Sequence, residues 1–410
     1  MSVKVATPLS GLGFPSSNTP KYMNGDTQVL VPSKCSTYTN GSVPRKISEY
    51  ITLRDGTQMP RIGLGTWKSS PEDTKDAVKV AVKAGYRLID CANDYNNEHV
   101  IGEALQELFK EGVVKRKDLF IQCKLWNSNH RAAHVKEDLM ASLEDLKLDY
   151  VDSFVIHWPQ AVPSHGQNVA VRKSGTYIDH FSKGTMMPIQ DNGYYSWDKE
   201  CHYMETWYAM EDLVDEGLCK SIGLSNFNLT QVREVLTKAK KHLPSVLQNE
   251  SHPYLQEKDL RDFCRIHKIA FQAYSALGSF DRPWKKAGSI TSGEPITGHE
   301  LLDNPIIKEL AASLEKSPAQ IVLRWHLEMG GTAVSKSVRA HRIISNYGVW
   351  DFELSPSDLS KISDLNVGWR HLLWAETALH FDYPFKDFLP WDYQPGKPDL
   401  KALSVGPKPT

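Results

Sequence analysis

Four ionisable side chains lie at or just beyond the ends of three short apolar runs. Asp90 ends the first run, and Tyr95 follows it five residues later. Lys124 ends the second run, 34 residues after Asp90, and His157 ends the third, 33 residues after Lys124. The intervening lengths suit a helix, and in a parallel β/α barrel successive strand ends face one mouth. The spacing therefore predicts that the four side chains share a pocket, where they form a proton-transfer set.

Each of these residues has an ordinary alternative when it is taken alone. A strand-end aspartate is often a helix cap, and a single tyrosine is usually a packing residue. Lys124 would also suit the Schiff-base lysine of an aldolase, and His157 could be a structural histidine. The joint spacing favours catalysis. His130 and His134 have the spacing of a metal pair but lack the glutamate of HExxH, so we interpret them as a helix start and predict no metal site.

The alternation of apolar runs with helix-length segments continues along most of the chain. Ser70-Pro71 opens one helix with a capping serine and a proline at the first position. The predicted helices are 70–85, 97–111, 133–147, 203–216, 228–240, 256–267, 304–314, 317–329 and 339–346. The predicted strands are 61–65, 86–90, 118–124, 151–157, 220–225, 245–248, 269–274 and 332–336. This pattern predicts an α/β fold, a single (β/α)8 TIM barrel over about 47–365.

Several additions to the barrel are expected. The dipeptide Asp55-Gly56 predicts an N-terminal β-hairpin that caps the bottom of the barrel. Residues 1–45 are rich in Ser, Thr, Pro, Gly and Asn, and we interpret them as a disordered tail rather than a targeting segment. The catalytic domain would then be 46–410. It includes the extended loop 160–202, a second loop 276–303 and the C-terminal loop 366–410, whose aromatic residues suit folding back over the mouth.

Composition argues against several classes of function. The net charge of −1 argues against nucleic acid or a membrane surface as the main partner of this protein. No apolar run approaches the ~20 residues of a membrane span. The six cysteines are scattered and form no CxxC pair, which indicates reduced thiols, and we therefore expect a cytoplasmic protein.

The later strand ends carry groups that suit a dinucleotide. Asn226 and Gln248 offer amides for a carboxamide, and Tyr274 offers a ring that can stack on a flat heterocycle. Lys336 and Arg342, close to a helix start, suit a phosphate. This set indicates a nicotinamide dinucleotide held across the barrel mouth. A Rossmann domain is not supported, because no GxGxxG precedes a helix.

Seven short motifs coincide with these strand ends. They are Gly63-Leu-Gly-Thr-Trp67, Leu88-Ile-Asp-Cys-Ala92, Lys124-Leu-Trp126, Ile156-His-Trp-Pro159, Ile222-Gly-Leu-Ser-Asn-Phe227, His252-Pro-Tyr254 and Ser335-Lys-Ser337. Together they resemble signatures of the aldo-keto reductases, closest to the aldose and aldehyde reductase branch. The likeness covers about 59–388, and the motifs are highly specific as a set.

The resemblance implies roles for individual residues. The catalytic tetrad of the family corresponds to Asp90, Tyr95, Lys124 and His157. The implied cofactor is NADPH or NADP+, with contacts from Thr66, Ser225, Asn226, Gln248, Tyr274, Ser275, Leu277, Ser279, Lys336, Ser337, Arg342 and Asn346. The implied substrate is a small-molecule carbonyl compound. The residues implied to line its pocket are Trp67, Asp94, Trp126, Trp158 and Trp284. A monomer is expected.

The chain departs from the family pattern at a few positions. Asp94 stands where aldose reductases commonly have an apolar residue, and Arg339 and Ser345 replace a threonine and a glutamate near the adenosine. The loop 160–202 is longer than in those relatives, and its first half is basic. One interpretation is that the pocket is polar and the loop selects hydroxylated or anionic substrates. The alternative is a solvated excursion that never reaches the pocket.

The implied reaction is the reduction of an aldehyde or ketone to an alcohol. Hydride addition produces an alkoxide that needs a proton, and Tyr95 would supply it as general acid. We expect Lys124, held by Asp90, to lower the pKa of Tyr95, and His157 to orient the carbonyl oxygen. The alternative function is a cofactor-binding regulatory or structural protein on the same scaffold, which would not need all four residues.

Overall fold

The architecture is a closed barrel of parallel strands preceded by a hairpin. The computed structural model describes residues 47–164, 188–279, 300–389 and 394. The strands are β1 Tyr50–Thr52, β2 Gln58–Pro60, β3 Ile62–Gly65, β4 Leu88–Asp90, β5 Phe120–Leu125, β6 Val151–Ile156, β7 Cys219–Ser225, β8 Val246–Glu250, β9 Ala270–Tyr274 and β10 Thr332–Ser335. Each strand from β3 pairs in parallel with the next, and β10 pairs with β3 to close the ring. The predicted (β/α)8 TIM barrel is confirmed.

Helices connect the strands around the outside. They are α1 Pro71–Ala84, α2 Glu98–Lys110, α3 Ala132–Leu146, α4 Tyr203–Asp215, α5 Leu229–Lys238, α6 Lys258–Ile266, α7 Pro305–Ser313, α8 Pro318–Glu328, α9 Ala340–Tyr347 and α10 Pro356–Ser363. The predicted helices and strands are all present, with ends within two residues of those expected. Helix α10 was not predicted, although Ser355 and Asp358 form a capping box at its start.

Strand burial explains the apolar runs that mark the strands in the sequence. Every residue of β5 and of β6 is buried, as expected when one face of a strand lines the barrel and the other packs on helices. Neighbouring strands are in a register that places Lys124 opposite Val155. Because the two strands are parallel, Lys124 and His157 both emerge at the same mouth of the barrel.

The predicted hairpin closes the opposite end of the barrel. Strands β1 and β2 pair antiparallel, and Gly56 has a φ of 90° in the turn between them, where a side chain would be strained. Leu53 and Met59 are buried against the first residues of several barrel strands, including Leu88 and Phe120. The hairpin thus covers apolar surface at the bottom of the barrel.

The mouth is covered by the segment after Trp369. Leu373, Tyr383 and Phe385 are buried in one cluster with Trp126 and Trp158. This placement agrees with the aromatic composition of the segment, which suggested that it folds back over the mouth. The described C-terminal segment therefore forms one wall of the space at the barrel mouth.

Both described ends of the long loop join this cover. Val162 and Tyr195 are buried in the same cluster, and the backbone nitrogen of Asp198 donates to the oxygen of Ala161 at 3.1 Å. Asp198 also receives two hydrogen bonds from Arg131, at 2.6 and 2.7 Å. The basic stretch 165–187, most of the second loop (280–299) and the predicted tail 1–45 lie outside the described residues.

Two properties of the described residues bear on the composition argument. Their five cysteines are all free and buried, which agrees with the reduced thiols expected from the sequence. None of their helices combines the length and apolar character that a membrane span requires.

Candidate active site

A buried ion pair joins the ends of β4 and β5. Lys124 Nζ donates to Asp90 Oδ1 at 2.7 Å and to the main-chain oxygen of Cys91 at 2.8 Å. The lysine side chain is fully buried, and that of the aspartate is 5% exposed. An isolated charge at this depth is costly, so each partner is needed to stabilise the other. Two of the four predicted catalytic residues are thus in direct contact.

Glutamines inside the barrel hold the aspartate of this pair. Gln122 Nε2 and Gln248 Nε2 each donate to Asp90 Oδ1 at 2.9 Å. The same two nitrogens donate to Gln272 Oε1, at 2.6 and 2.7 Å. Gln248 was predicted as a cofactor contact, whereas Gln122 and Gln272 were missed. The available signal was a glutamine within a buried, otherwise apolar strand, where a polar group needs partners.

Tyr95 lies over this ion pair because a tight turn follows β4. The 3-10 turn Asn93–Tyr95 ends at Asn96, whose left-handed backbone has a φ of 56°. Asn93 anchors the turn by donating to Asp138 Oδ1 at 2.6 Å. The centroid of the Tyr95 ring lies 4.8 Å from Lys124 Nζ. The turn therefore fixes the phenol beside the buried cation.

The electrostatics of Tyr95 correct one expectation from the sequence. Burial raises the pKa of Tyr95 well above its usual value, and the negative charges of Asp90 and Asp94 raise it further. The expectation of a lowered pKa was wrong, because burial and the two carboxylates outweigh any opposite contribution from the Lys124 cation. Lys124 directs its hydrogen bonds to Asp90 and Cys91, and its contact with Tyr95 is made with the ring. At neutral pH the phenol is therefore protonated and can act as a proton donor.

His157 directly follows β6 and faces the same space. Its backbone nitrogen donates to the oxygen of Leu125 at 3.1 Å, and its backbone oxygen accepts from Asn226 Nδ2 at 2.9 Å. The ring is perpendicular to that of Tyr95, with centroids 5.7 Å apart. Its Nδ1 lies 3.2 Å from Asp94 Oδ1. The structure therefore brings all four predicted catalytic residues together and places Asp94 against one of them.

Aromatic side chains flank this group. The Trp67 ring centroid lies 6.4 Å from that of Tyr95, and the Trp126 centroid lies 5.3 Å from that of His157. Both rings were predicted to line the substrate space, and both are beside the proton-transfer set. Trp284, predicted for the same role, lies outside the described residues.

Trp374 is an aromatic residue of the mouth that sequence reasoning did not single out. It stacks on Trp126 with centroids 6.0 Å apart and meets Trp158 edge-on at 5.1 Å. Tyr195, from the long loop, also contacts Trp374 edge-on, at 6.2 Å. The only sequence signal was the aromatic composition of the C-terminal segment. Trp374 therefore links that segment to two predicted substrate residues.

The predicted nicotinamide contacts meet at the ends of β7, β8 and β9. Tyr274 Oη donates to Asn226 Oδ1 at 2.5 Å, and Ser225 and Gln248 are buried beside Asn226. At the end of β3, Thr66 Oγ1 donates to the main-chain oxygen of Asp90 at 2.8 Å. These contacts hold the polar groups in place before any ligand enters.

A turn after β9 carries three further predicted contacts. Ser275 and Ser279 both have left-handed backbones, with φ values of 49° and 44°, and Leu277 packs against the barrel core. Lys68 Nζ lies 3.4 Å from Ser279 Oγ, so this turn reaches across to the loop after β3. The two loops together span one edge of the mouth.

The predicted phosphate contacts lie after β10. Lys336 and Ser337 are half-buried, while Arg339 and Arg342 are exposed at the start of α9. Within the described part of the chain, neither arginine has a carboxylate partner. Asn346 is buried on the same helix. Helix N-terminal N–H groups with adjacent guanidinium groups favour an anion, so these residues fit the phosphates of a dinucleotide.

The described residues include one cluster of metal-ligand types, on the mouth side of β8. Glu250, His252 and His371 bring their ligand atoms within 4.8 Å of one another. Both oxygens of Glu250 are already used, because Oε1 accepts from the backbone of His371 at 2.6 Å and Oε2 accepts from Leu372 at 2.8 Å. His252 Nε2 lies 3.0 Å from Oε1. The cluster therefore attaches the C-terminal segment to the barrel.

The other histidine pair considered in the sequence, His130 and His134, lies at the start of α3, as interpreted from the sequence.

The pKa of Glu250 agrees with its role in attaching the C-terminal segment to the barrel. Burial alone would raise the pKa of its carboxyl, but the hydrogen bond with His252 and the charges of His371 and Arg370 lower it to about 2. Glu250 is therefore a carboxylate over the whole neutral range, and the segment it holds is the one that carries Trp374.

Comparisons with known proteins agree with this arrangement. Residues 61–367 match the model of the Aldo/keto reductase family. The chain is 42% identical over 347 residues to aldo-keto reductase family 1 member A1-A of Danio rerio, covering 82% of this chain and 98% of the relative. The corresponding human protein, aldo-keto reductase family 1 member A1, is 39% identical over 348 residues with the same coverage.

A solved structure shows the same relationship in three dimensions. The aldose reductase of Schistosoma japonicum superimposes with a TM-score of 0.71 at 34% sequence identity, covering 83% of this chain and 99% of that one. With the family match spanning most of the chain, this protein belongs to the aldo/keto reductase family.

Proposed function

We propose that this protein reduces aldehydes or ketones, aldoses or related carbonyls, to alcohols with NADPH, and that Tyr95 is the general acid. Membership of the family makes it an oxidoreductase that acts on carbonyl groups. The identity of the cofactor and the roles of individual residues are our proposal. The observation that supports it most is the buried pair of Asp90 and Lys124 beside Tyr95, with the His157 ring edge-on to the same phenol ring.

Tyr95 and Lys124 have different roles in the proposed proton transfer. Tyr95 carries a proton at neutral pH and gives it to the oxygen of the reacting carbonyl. An alkoxide is a much stronger base than a phenolate, so the transfer is favourable even though the pKa of Tyr95 is raised. The cation of Lys124, close to the ring, stabilises the phenolate that forms. NADPH, when bound, supplies the hydride.

Positioning falls to the surrounding side chains. His157 donates to the carbonyl oxygen and orients it, and Trp67 and Trp126 restrict the substrate to the space between the rings. Water is limited because the C-terminal segment covers the mouth through Trp374. Closing the site in this way strengthens the electrostatic contacts inside it.

The remaining proposed ligand contacts follow the strand ends around the mouth. The nicotinamide end would be held by Thr66, Ser225, Asn226, Gln248 and Tyr274, the diphosphate by Ser275, Leu277 and Ser279, and the adenosine phosphate end by Lys336, Ser337, Arg342 and Asn346. Gln248 can contribute through its oxygen, because its amide nitrogen already donates to Asp90 and Gln272. The proposed substrate contacts are Trp67, Trp126, Trp158 and Trp284, and the sequence also suggested Asp94.

We further propose a monomer that acts in the cytoplasm on a small-molecule carbonyl, with residues 1–45 as a tail and 46–410 as the catalytic domain.

The function is tested by measuring the loss of NADPH absorbance with a panel of aldoses, carboxylated aldehydes and aromatic aldehydes. Turnover with at least one class is expected. Tight NADPH binding without turnover on any member would instead support the alternative, a cofactor-binding regulatory or structural protein.

A further inference from the structure

Asp94 is the residue next to Tyr95 in the turn after β4, and its carboxylate is turned towards His157. Its side chain is 10% exposed, and that of His157 is 9% exposed. Asp94 Oδ1 lies 3.2 Å from His157 Nδ1. The turn cannot easily shift, because Asn93 is anchored to Asp138 on one side and Asn96 ends the turn on the other. The carboxylate is therefore held against the histidine.

These two atoms lack another partner. In the part of the chain that the structure describes, Asp94 Oδ1 and His157 Nδ1 are both fully buried and neither makes a hydrogen bond of good geometry. Leaving a buried carboxylate oxygen and a buried ring nitrogen unsatisfied is costly. At 3.2 Å the contact is at the long end of the hydrogen-bond range, and a small rotation of either side chain would satisfy both atoms at once. This requires a proton on Nδ1.

A proton on Nδ1 changes what His157 can do. A neutral imidazole with this proton has a lone pair on Nε2 and can only accept there. To donate to a carbonyl oxygen from Nε2, the ring must carry both protons and hence a positive charge. A carboxylate against Nδ1 stabilises that imidazolium, and a charged donor becomes more valuable as negative charge develops on the oxygen.

We propose that Asp94 is a positioning residue that keeps a proton on His157 Nδ1, so that His157 presents Nε2 to the carbonyl oxygen as a charged donor. This inference rests on the proposed function for the role of His157. It assigns Asp94 a different part from the direct substrate contact predicted from the sequence. Asp94 acts through the histidine, and its charge also contributes to keeping Tyr95 protonated.

Spectroscopy of the free protein tests the contact without any turnover. Protein labelled with 15N in the histidine rings gives separate signals for protonated and unprotonated nitrogens, and His157→Gln identifies those of His157. We expect both ring nitrogens of His157 to be protonated in the wild-type protein and one of the two protons to be lost in Asp94→Asn. An unprotonated Nδ1 or Nε2 in the wild-type protein, or the same signals in Asp94→Asn, would overturn the inference.

Kinetics test the consequence through a double-mutant cycle of Asp94→Asn and His157→Gln. We expect Asp94→Asn alone to lower kcat about 10–100-fold, the effect of losing one charge-assisted hydrogen bond, with the Kd for NADPH unchanged. In the His157→Gln background the same change should have little further effect.

The outcomes separate this inference from the proposed function. Equal losses from Asp94→Asn in both backgrounds, or a change in KM that depends on the substrate with kcat unchanged, would show a direct substrate contact and overturn the positioning role. If the wild-type protein reduces no carbonyl, the proposed function fails. The 15N signals of His157 would still decide whether Asp94 holds the proton.

Discussion

At the residue scale, the sharpest question is whether the Tyr95 hydroxyl is the proton donor. Tyr95→Phe should lower kcat about 10²–10⁴-fold, because only the hydroxyl is removed while the ring keeps its contacts with Trp67 and Lys124. NADPH binding, followed by quenching of tryptophan fluorescence, should be nearly unchanged. Tyr208→Phe is a matched control, since its hydroxyl donates to Lys238 on the outer helices. Residual activity above about a tenth of wild type would rule out Tyr95 as general acid.

The ion pair of Asp90 and Lys124 gives a second prediction, in which one variant recovers stability without recovering activity. Lys124→Met leaves the carboxylate of Asp90 buried without its cation, and we expect a loss of about 3–5 kcal/mol in the free energy of unfolding. The double variant Asp90→Asn/Lys124→Met should regain most of that stability, because no unpaired charge remains. Its activity should stay as low as that of Lys124→Met. Urea unfolding and turnover of the three proteins check both parts, and a double variant as unstable as Lys124→Met would contradict the argument.

Cofactor preference is a third question for single residues. Arg342 is exposed at the start of α9 without a carboxylate partner among the described residues, and the 2′-phosphate is the group that distinguishes NADPH from NADH. Arg342→Ala should therefore weaken NADPH binding about tenfold or more and leave NADH binding almost unchanged. Arg265→Ala, on the exposed face of α6, is the control. An unchanged ratio of the two dissociation constants would remove Arg342 from the phosphate site.

At the scale of elements, sequence periodicity located the strands and helices because parallel barrel strands are buried on both faces and helices begin at recognisable caps. Ser70-Pro71 predicted the start of α1, and the structure shows the serine accepting from the backbone of Asp73. Strand ends then placed Asp90, Lys124 and His157 together, since β4, β5 and β6 are adjacent parallel strands that end at the same mouth. These inferences need only local pattern and the geometry of the fold.

Other features of the site depend on contacts between distant segments, which periodicity does not encode. Gln122 and Gln272 are 150 residues apart and meet only because the barrel closes. The contact of Asp94 with His157 depends on the exact course of a short turn. Burial, together with the charges of Asp90 and Asp94, likewise reversed the expected direction of the pKa shift of Tyr95. The residue types were visible in the sequence, but their pairing was not.

The long loop supplies a prediction that belongs to an element as a whole. Its described end, 188–202, packs against the mouth through Tyr195, so a deletion of 166–186 removes the basic stretch without removing that contact. If the loop selects hydroxylated or anionic substrates, kcat/KM for sugars and carboxylated aldehydes should fall relative to aromatic aldehydes. Tyr195→Ala, which leaves the basic stretch in place, separates packing from charge. Unchanged ratios across the three substrate classes would mean that the loop has no part in selection.

At the scale of the whole molecule, the barrel is closed by two segments with different electrostatics. The hairpin at the bottom is fixed by apolar burial of Leu53 and Met59. The segment over the mouth is fixed partly by the buried carboxylate of Glu250. The carboxyl of Glu250 has its pKa lowered to about 2, so its contribution to stability is full above about 4.5 and is lost as pH falls towards 2. Acid should therefore release the mouth segment before the hairpin.

Asp382, in the same segment, has the opposite effect on stability. Burial, with a smaller contribution from the charge of Glu234, raises the pKa of its carboxyl from 3.8 to about 7. Its Oδ2 is buried without a hydrogen-bond partner among the described residues, while Oδ1 lies 3.6 Å from His202 Nε2. Because the folded state binds this proton more tightly than the unfolded state, the stabilisation is full below about pH 4 and is lost as pH rises through about 7.

Removing the charge of Asp382 should therefore stabilise the protein on the alkaline side. We expect Asp382→Asn to raise the free energy of unfolding by about 1–3 kcal/mol more at pH 8.5 than at pH 5, because the wild-type carboxyl is ionised in the folded state only at the higher pH. Urea unfolding at the two pH values measures the difference. Asp387→Asn, on the exposed surface of the same segment, is the control for a change of net charge. An equal effect of Asp382→Asn at both pH values would show that the carboxylate is stabilised by His202 and that burial does not control its ionisation.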